Sequence, residues 1–225
     1  MHTKTQKLVI LAMMSALAFV LASMPRVPLV SLPPLTLRYD PKDVIIIISG
    51  FIFGPMAAFI VTVVVSLLQF ISVSLTGYIG LIMNITSGTA FCCTAAFIYK
   101  KKRTISGAII GLAVGVVFAT AVMMLMNWLV VPIFVERVSR EEAARLLVPL
   151  FMPFNLISNS LNAALTLLTY KHVKTALQSA RLIPMSDDAG HKGLNRGIIV
   201  MSAFVILVCV IWVLFNLGVI PPLFS

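Results

Sequence analysis

Neutral polar side chains are the residues of this sequence best suited to bind a small molecule. They lie inside long apolar stretches: Gln69, Asn84, Thr86, Ser87, Asn127, Asn155, Ser158, Asn159, Ser160 and Asn162. One asparagine in hydrocarbon most often forms a hydrogen bond to a neighbouring helix. Several near the same ends of three apolar stretches indicate a shared polar pocket, which suits a planar, uncharged ligand rich in heteroatoms.

Two short motifs add aromatic surface to these amides. Asn127 is followed by Trp128, and Asn155 is preceded by Pro153 and Phe154. An amide beside an aromatic ring, with a proline that opens the backbone, is typical of a ligand site. Trp128 is equally consistent with the aromatic belt that membrane proteins place at the lipid–water interface.

The residue types that catalysis requires are not assembled anywhere in the sequence. The three histidines, His2, His172 and His191, have no metal-ligand spacing and no nucleophile beside them. The segment 190–193, Gly-His-Lys-Gly, lacks the Gly-Lys-Ser/Thr ending of a phosphate loop. We therefore expect no metal, no cofactor, no enzyme activity and no ATP hydrolysis by this chain itself.

The elements that position the polar residues are membrane-spanning helices. The 225 residues are 60% hydrophobic and 11% charged, with a mean hydropathy of +1.07, far too apolar for a soluble domain. The charge-free runs are continuously apolar rather than alternating, which favours helices over a β-barrel. Breaks at Gly54-Pro55 and Thr76-Gly77 divide the longest run. The predicted spans are 8–24, 42–53, 55–75, 78–99, 104–134, 147–170 and 197–217.

Charge placement predicts the orientation of these helices. With a cytoplasmic N-terminus, eleven Lys and Arg residues fall inside and six outside, which puts the C-terminus outside. The net charge of +10 therefore reflects topology, not nucleic-acid binding. The spans contain no acids or bases, and Asp40 and Asp43 lie only at the outer start of the second span. This pattern disfavours a proton-driven carrier, although sodium could still be held by carbonyl oxygens.

The connecting segments divide into three types. The first outer loop, 25–41, contains five prolines and is predicted to be a stiffened loop, serving equally well as a lid or as a rest on lipid headgroups. The second, 136–145, contains a capping box at Ser139 that starts a short, solvated helix. The polar segment 171–196 reads as a cytoplasmic linker, so the last span is an addition to a six-helix core.

Small residues at four-residue spacing indicate close helix contacts. Gly107, Gly111 and Gly115 follow one face of the fifth span, where internal packing is the simpler interpretation. In the first span Ala12 and Ala16 share this spacing, as do Ala18 and Ala22. For that helix an exposed docking surface competes with internal packing.

Taken in order, several motifs resemble the substrate-binding S components of energy-coupling factor (ECF) vitamin transporters of bacterial plasma membranes, most closely the riboflavin-binding branch. The resemblance covers about residues 5–175. It rests on residues 12–16 (AMMSA), 37–43 (LRYDPKD), 54–55 (GP), 68–70 (LQF), 84 (N), 87–89 (SGT), 126–128 (MNW), 132 (P) and 153–155 (PFN).

The resemblance implies a six-helix subunit that captures a vitamin outside and topples in the membrane to release it inside. It would dock through Ala12 and Ala16 on a transmembrane coupling subunit, the T component, which two ATPase subunits drive. Residues 25–41 would be the lid, with Asn127 and Asn155 as ligand contacts. The full set of expected ligand-binding residues is Asn127, Trp128, Asn155, Ser158, Asn159, Asn84, Gln69, Tyr39 and Asp40.

Two departures from the riboflavin-type pattern bear on the ligand. Ser158 and Asn159 stand where those members typically have lysine and glycine, and Thr62 and Val65 lie where they tend to carry charge. These changes leave room for a less charged or bulkier ligand.

The leading hypothesis is therefore an S component for riboflavin or a related flavin. The expected organisation is a core at 1–175, a linker at 176–196 and an extra helix at 197–225. An S component for another vitamin or a modified base is the first alternative. An autonomous ion-coupled secondary carrier and a structural membrane subunit are the others.

Overall fold

The computed structural model describes residues 4–24, 28–32, 35–72, 77–134 and 139–179, together with residues 202, 203, 206, 207 and 210. Its elements in chain order are α1 (Lys4–Ser23), β1 (Pro28–Leu32), β2 (Leu35–Arg38), α2 (Lys42–Phe53), α3 (Pro55–Ser72), α4 (Gly77–Gly88), a π-helical turn (Thr89–Cys93), α5 (Thr94–Lys101), α6 (Ile105–Phe134), α7 (Arg140–Leu146), a second π-helical turn (Leu147–Phe151) and α8 (Met152–Ser179).

Five helical stretches within this described part are long and apolar enough to cross a membrane: Lys4–Ser23, Pro55–Ser72, Gly77–Lys101, Ile105–Ile133 and Arg140–Tyr170. The 12-residue helix α2 packs among them. The six predicted helices between residues 8 and 170 are thus confirmed. Most of the predicted seventh span, 197–217, lies outside the described residues, although the five positions described there have helical backbone.

Glycine determines where two of the predicted breaks occur. Gly54 ends α2 with φ of 99° and Gly77 begins α4 with φ of 59°, backbone conformations that residues with a Cβ rarely adopt. Gly54 is followed at once by Pro55, the first residue of α3, where its missing N–H costs no hydrogen bond. Thr76, the other half of the second predicted break, lies outside the described residues.

The described part of the connection between α1 and α2 contains two paired strands, which we call the hairpin, where the sequence predicted only a stiffened loop. β1 and β2 pair antiparallel, with Val30 opposite Leu37 and an irregularity beside Pro28. Proline is tolerated here because a two-stranded ribbon has only edge strands. We call the end of the bundle that carries residues 28–38 the hairpin end.

The helix after α6 also differs from its prediction. Its capping box is confirmed, because Ser139 Oγ accepts from Glu142 N and the Glu142 carboxylate accepts from Ser139 N. It is not an isolated solvated cap, however, since α7 continues through the π-helical turn into α8 and Ala143 is fully buried. That wider turn contains Pro149, which an α-helical interior would not accept without losing a hydrogen bond.

Small residues bring the helices into close contact. An added Cβ at Gly111 would lie 2.7 Å from the Ala95 carbonyl oxygen, and one at Gly115 would lie 3.0 Å from that of Phe91. The glycine face of α6 therefore packs inside the bundle, as its simpler interpretation predicted. On α1, Ala18 and Ala22 are buried, whereas Ala12 and Ala16 are exposed.

Aromatic rings pack at the end of the bundle opposite the hairpin. Phe51 stacks on Tyr99 with ring centroids 4.4 Å apart and meets Tyr170 edge-on at 5.5 Å. The two tyrosine hydroxyls form a hydrogen bond of 2.9 Å. These contacts join the ends of α2 and α5 to α8.

Candidate ligand-binding site at the hairpin end

Asp40 is the centre of a polar network where the hairpin meets the helices. Its Oδ2 accepts from Lys42 Nζ at 2.7 Å and from Gln69 Nε2 at 3.0 Å, and its Oδ1 accepts from Lys42 N at 3.2 Å. Lys42 Nζ also lies 3.4 Å from Asn84 Oδ1. The network therefore ties the segment after β2 to α2, α3 and α4.

The same segment is bonded to α8 through Asn162. Tyr39 donates its hydroxyl to Asn162 Oδ1 at 2.6 Å, and Asn162 Nδ2 donates to the Asp40 carbonyl oxygen at 3.2 Å. Asn162 is 1% exposed. Both ends of its amide are thus used to hold residues 39 and 40.

Lys42 and Asp43 correct the expectation that the spans contain no charged residues. Both belong to the first turn of α2 and are buried. The ion pair with Asp40 and the amide of Asn84 offset the cost of burying the Lys42 cation. The sequence did carry a signal, because residues 40–43 hold three charges directly before an apolar run, but their burial depends on partners far away in sequence.

Buried polar residues follow one face of α8. Asn155, Asn159, Asn162 and Thr166 recur at three- and four-residue spacing and are each at most 5% exposed. Asn155 Nδ2 donates to the Phe151 carbonyl oxygen at 2.8 Å. Asn159 Nδ2 is buried and has no partner among the described residues. The face therefore contains one unsatisfied amide donor between two satisfied ones.

α6 packs on α8 and contributes a similar amide. Asn127 is buried, and its Nδ2 donates to the Met123 carbonyl oxygen at 2.7 Å. Since only the NH₂ group can donate to a carbonyl, this bond fixes the orientation of the Asn127 amide, as the Phe151 contact does for Asn155. Each amide is left with an Oδ1 to which no described residue donates.

An apolar cluster lies beside these amides and includes the hairpin. Val131 of α6, Ala143 of α7, and Leu150 and Phe151 form its buried part. The partly buried residues packed against them are Leu37, Tyr39, Leu146, Leu147 and Phe154. The end of β2 therefore rests on the ends of α6 and α8, next to Asn127 and Asn155.

Two other expected site residues occupy less enclosed positions. Trp128 is 36% exposed, and the Arg140 guanidinium lies 5.8 Å from its ring centroid. Ser158 is half-buried on α8. Trp128 is therefore more open than its neighbour Asn127.

Comparisons with known proteins identify the family. The family model described as "ECF transporter, substrate-specific component" matches residues 6–170, most of the chain. The chain belongs to this family. It is thus an S component, the substrate-binding part of a transporter, and a multi-pass membrane protein.

Individual relatives agree with this assignment. The riboflavin transporter RibU of Staphylococcus aureus (strain TCH60) is 31% identical over 180 residues, covering 78% of this chain and 94% of that protein. The riboflavin transporter FmnP of Bacillus subtilis (strain 168) is 30% identical over 186 residues, covering 79% and 97%. A solved S component of a bacterial ECF transporter superposes with a TM-score of 0.65 at 31% identity, covering 78% of this chain and 99% of that one.

The structure brings most of the predicted site residues of this S component to the hairpin end. Tyr39, Asp40, Gln69 and Asn84 belong to the Asp40 network, whereas Asn127, Asn155 and Asn159 lie on α6 and α8. The sequence did not single out Lys42, or Asn162 among the many polar residues. The available signal for Asn162 was its spacing, because it lies three residues after Asn159 and seven after Asn155, on the same helix face.

Proposed function

We propose that this S component binds riboflavin or a closely related flavin at the hairpin end, between the hairpin and helices α6 and α8. Two relatives covering more than three quarters of this chain are named riboflavin transporters. That likeness is the observation that carries the choice of ligand. The donor and acceptor pattern of the amides supports it independently.

The pattern follows from how the amides are bonded. Asn127 and Asn155 use Nδ2 within their own helices, so each offers Oδ1 as an acceptor. Asn159 offers an unused Nδ2 donor. A flavin ring presents one N–H between two carbonyl oxygens, and its sugar chain adds hydroxyl donors. A ligand of this class could satisfy acceptors and donor together, and leaving them unpaired on burial is costly.

The direct contacts in this proposal come from Asn127, Asn155, Ser158 and Asn159, with Trp128 at the margin. Tyr39, Asp40, Gln69 and Asn84 border the same end. Ser158 is shorter than the lysine of the riboflavin-type pattern and Asn159 is larger than its glycine, so a flavin variant or another vitamin is the second candidate. Ser158 and Asn159 would contribute to ligand selectivity, because a site built from hydrogen bonds rejects ligands that cannot complete those bonds.

The delivery step requires partners. We propose that the exposed Ala12 and Ala16 face of α1 docks on the T component of an ECF module with two ATPase subunits. Small exposed residues at four-residue spacing let a partner helix approach closely. The distribution of Lys and Arg supports a cytoplasmic N-terminus and an outward-facing hairpin end in the plasma membrane. Residues 1–175 form the binding core, 176–196 a cytoplasmic linker and 197–225 an additional helix.

The ligand can be identified directly. The full chain is purified from cells grown with riboflavin, and compounds released on denaturation are identified by mass spectrometry. A thermal-shift panel of vitamins and modified bases then ranks binders, since a ligand that binds only the folded state raises the unfolding midpoint. A flavin in the released fraction and the largest shift with riboflavin support the proposal. A different vitamin giving the largest shift would replace riboflavin as the ligand.

A further inference from the structure

The segment that follows β2 is held in place by hydrogen bonds from other side chains of the protein. Asp40 receives hydrogen bonds from Lys42, Gln69 and Asn162, which belong to three different helices. Tyr39, one residue closer to the strand, donates to Asn162. Leu37 and Tyr39 also pack on the apolar cluster at the ends of α6 and α8. The position of the hairpin over these helix ends is therefore set at residues 39 and 40.

Asn162 is the residue that connects this segment to the ligand-facing helix. It lies on the same face of α8 as Asn155 and Asn159, one turn beyond Asn159. Unlike Asn127, Asn155 and Asn159, it has both ends of its amide bonded to the hairpin segment, at residues 39 and 40. Its role in binding can only be exerted through the hairpin.

We infer that Asn162 and Asp40 are positioning residues that latch the hairpin onto α8 and α3, and that this latch sets how long a bound ligand stays. The inference rests on the proposed ligand site between the hairpin, α6 and α8. If the hairpin must lift before a ligand leaves, the dissociation rate rises with the fraction of molecules in which it is lifted. Weakening the latch therefore shortens the bound lifetime and has less effect on association.

Two variants weaken the latch to different degrees. Asn162→Leu keeps similar volume and removes both hydrogen bonds, so we expect riboflavin to dissociate at least about tenfold faster. Tyr39→Phe removes one bond and keeps the ring packing, so we expect a rise of about two- to twelvefold. Tyr99→Phe is the matched control, because it removes a buried tyrosine hydroxyl bond at the opposite end of the bundle.

Two measurements separate the latch from the identity of the ligand. Hydrogen–deuterium exchange of residues 28–40 is measured by mass spectrometry on the full chain in nanodiscs without ligand. Riboflavin dissociation is measured as the loss of protein-bound radiolabelled riboflavin after addition of excess unlabelled riboflavin. We expect Asn162→Leu to speed both exchange and dissociation, and Tyr99→Phe to change neither.

Each outcome decides one part of the inference. Unchanged hairpin exchange in Asn162→Leu overturns the latch, whatever the ligand is. Faster exchange with unchanged dissociation overturns the control of ligand lifetime. If wild-type protein does not bind riboflavin, the proposed ligand fails and the exchange result alone decides the latch. Should Asn162→Leu not fold, Tyr39→Phe provides the same comparison.

Discussion

Replacing Lys42 with methionine removes the cation of a buried ion pair and keeps an unbranched side chain of similar length. Lys42 is 3% exposed, and its Nζ lies 2.7 Å from Asp40 Oδ2. Breaking a buried pair costs about 3–5 kcal/mol because the remaining charge loses its compensation. Asp40 keeps its bonds to Gln69 Nε2 and to the backbone N of residue 42, and its side chain is 18% exposed. We therefore expect the lower end, about 3 kcal/mol.

This loss is large enough to measure by thermal unfolding in detergent. For a chain of this length, each kcal/mol corresponds to about 2–4 °C, so the unfolding midpoint should fall by about 6–12 °C. Adding Asp40→Asn should recover part of the loss, because the uncompensated carboxylate is then gone. The exposed Lys102 provides a control, and Lys102→Met should stay within about 0.5 kcal/mol of the wild type. A wild-type midpoint in Lys42→Met would refute the buried pair.

Two further predictions concern helix contacts. Ala12→Leu or Ala16→Leu should abolish riboflavin uptake in cells and leave binding by the purified protein intact, because both residues are exposed on α1; Ala113→Leu, on an exposed face of α6, should leave uptake unchanged. Loss of binding in the α1 variants would contradict a docking role. Gly111→Ala should lower the free energy of unfolding by about 1–3 kcal/mol, since its Cβ would lie 2.7 Å from the Ala95 carbonyl oxygen. An unfolding midpoint no lower than that of Ala113→Leu would count against this contact.

The helices could be predicted from the sequence because their signal is local. Continuous apolar runs of the length of a bilayer, interrupted at Gly54-Pro55 and Gly77, suffice to mark six helices between residues 8 and 170. The hairpin at 28–38 was not predicted, because strands of five and four residues show little periodicity and the prolines favour a loop. β1 and β2 are stabilised by pairing with each other and by packing of Leu37 on the apolar cluster at the helix ends, and neither contact can be read from the sequence.

The polar site was only partly predictable for the same reason. Asparagines in apolar runs stand out, so Asn127 and Asn155 could be selected from residue type alone. The burial of Lys42 depends on Asp40, Gln69 and Asn84, the last of which is 42 positions away in sequence. Asn162 bonds residues more than 120 positions away. Such pairings arise from tertiary packing.

The most direct test of the account is a titration of riboflavin with the purified chain, without any partner subunit. Binding should quench riboflavin fluorescence to saturation at a fixed stoichiometry. Asn155→Leu should weaken the affinity by about 5- to 150-fold, because a ligand donor then loses its acceptor. Ser49→Ala, a buried change on α2 whose hydroxyl donates to the Ile46 carbonyl oxygen of its own helix, should bind as the wild type does. A folded wild-type protein that leaves riboflavin fluorescence unchanged would contradict the proposed function.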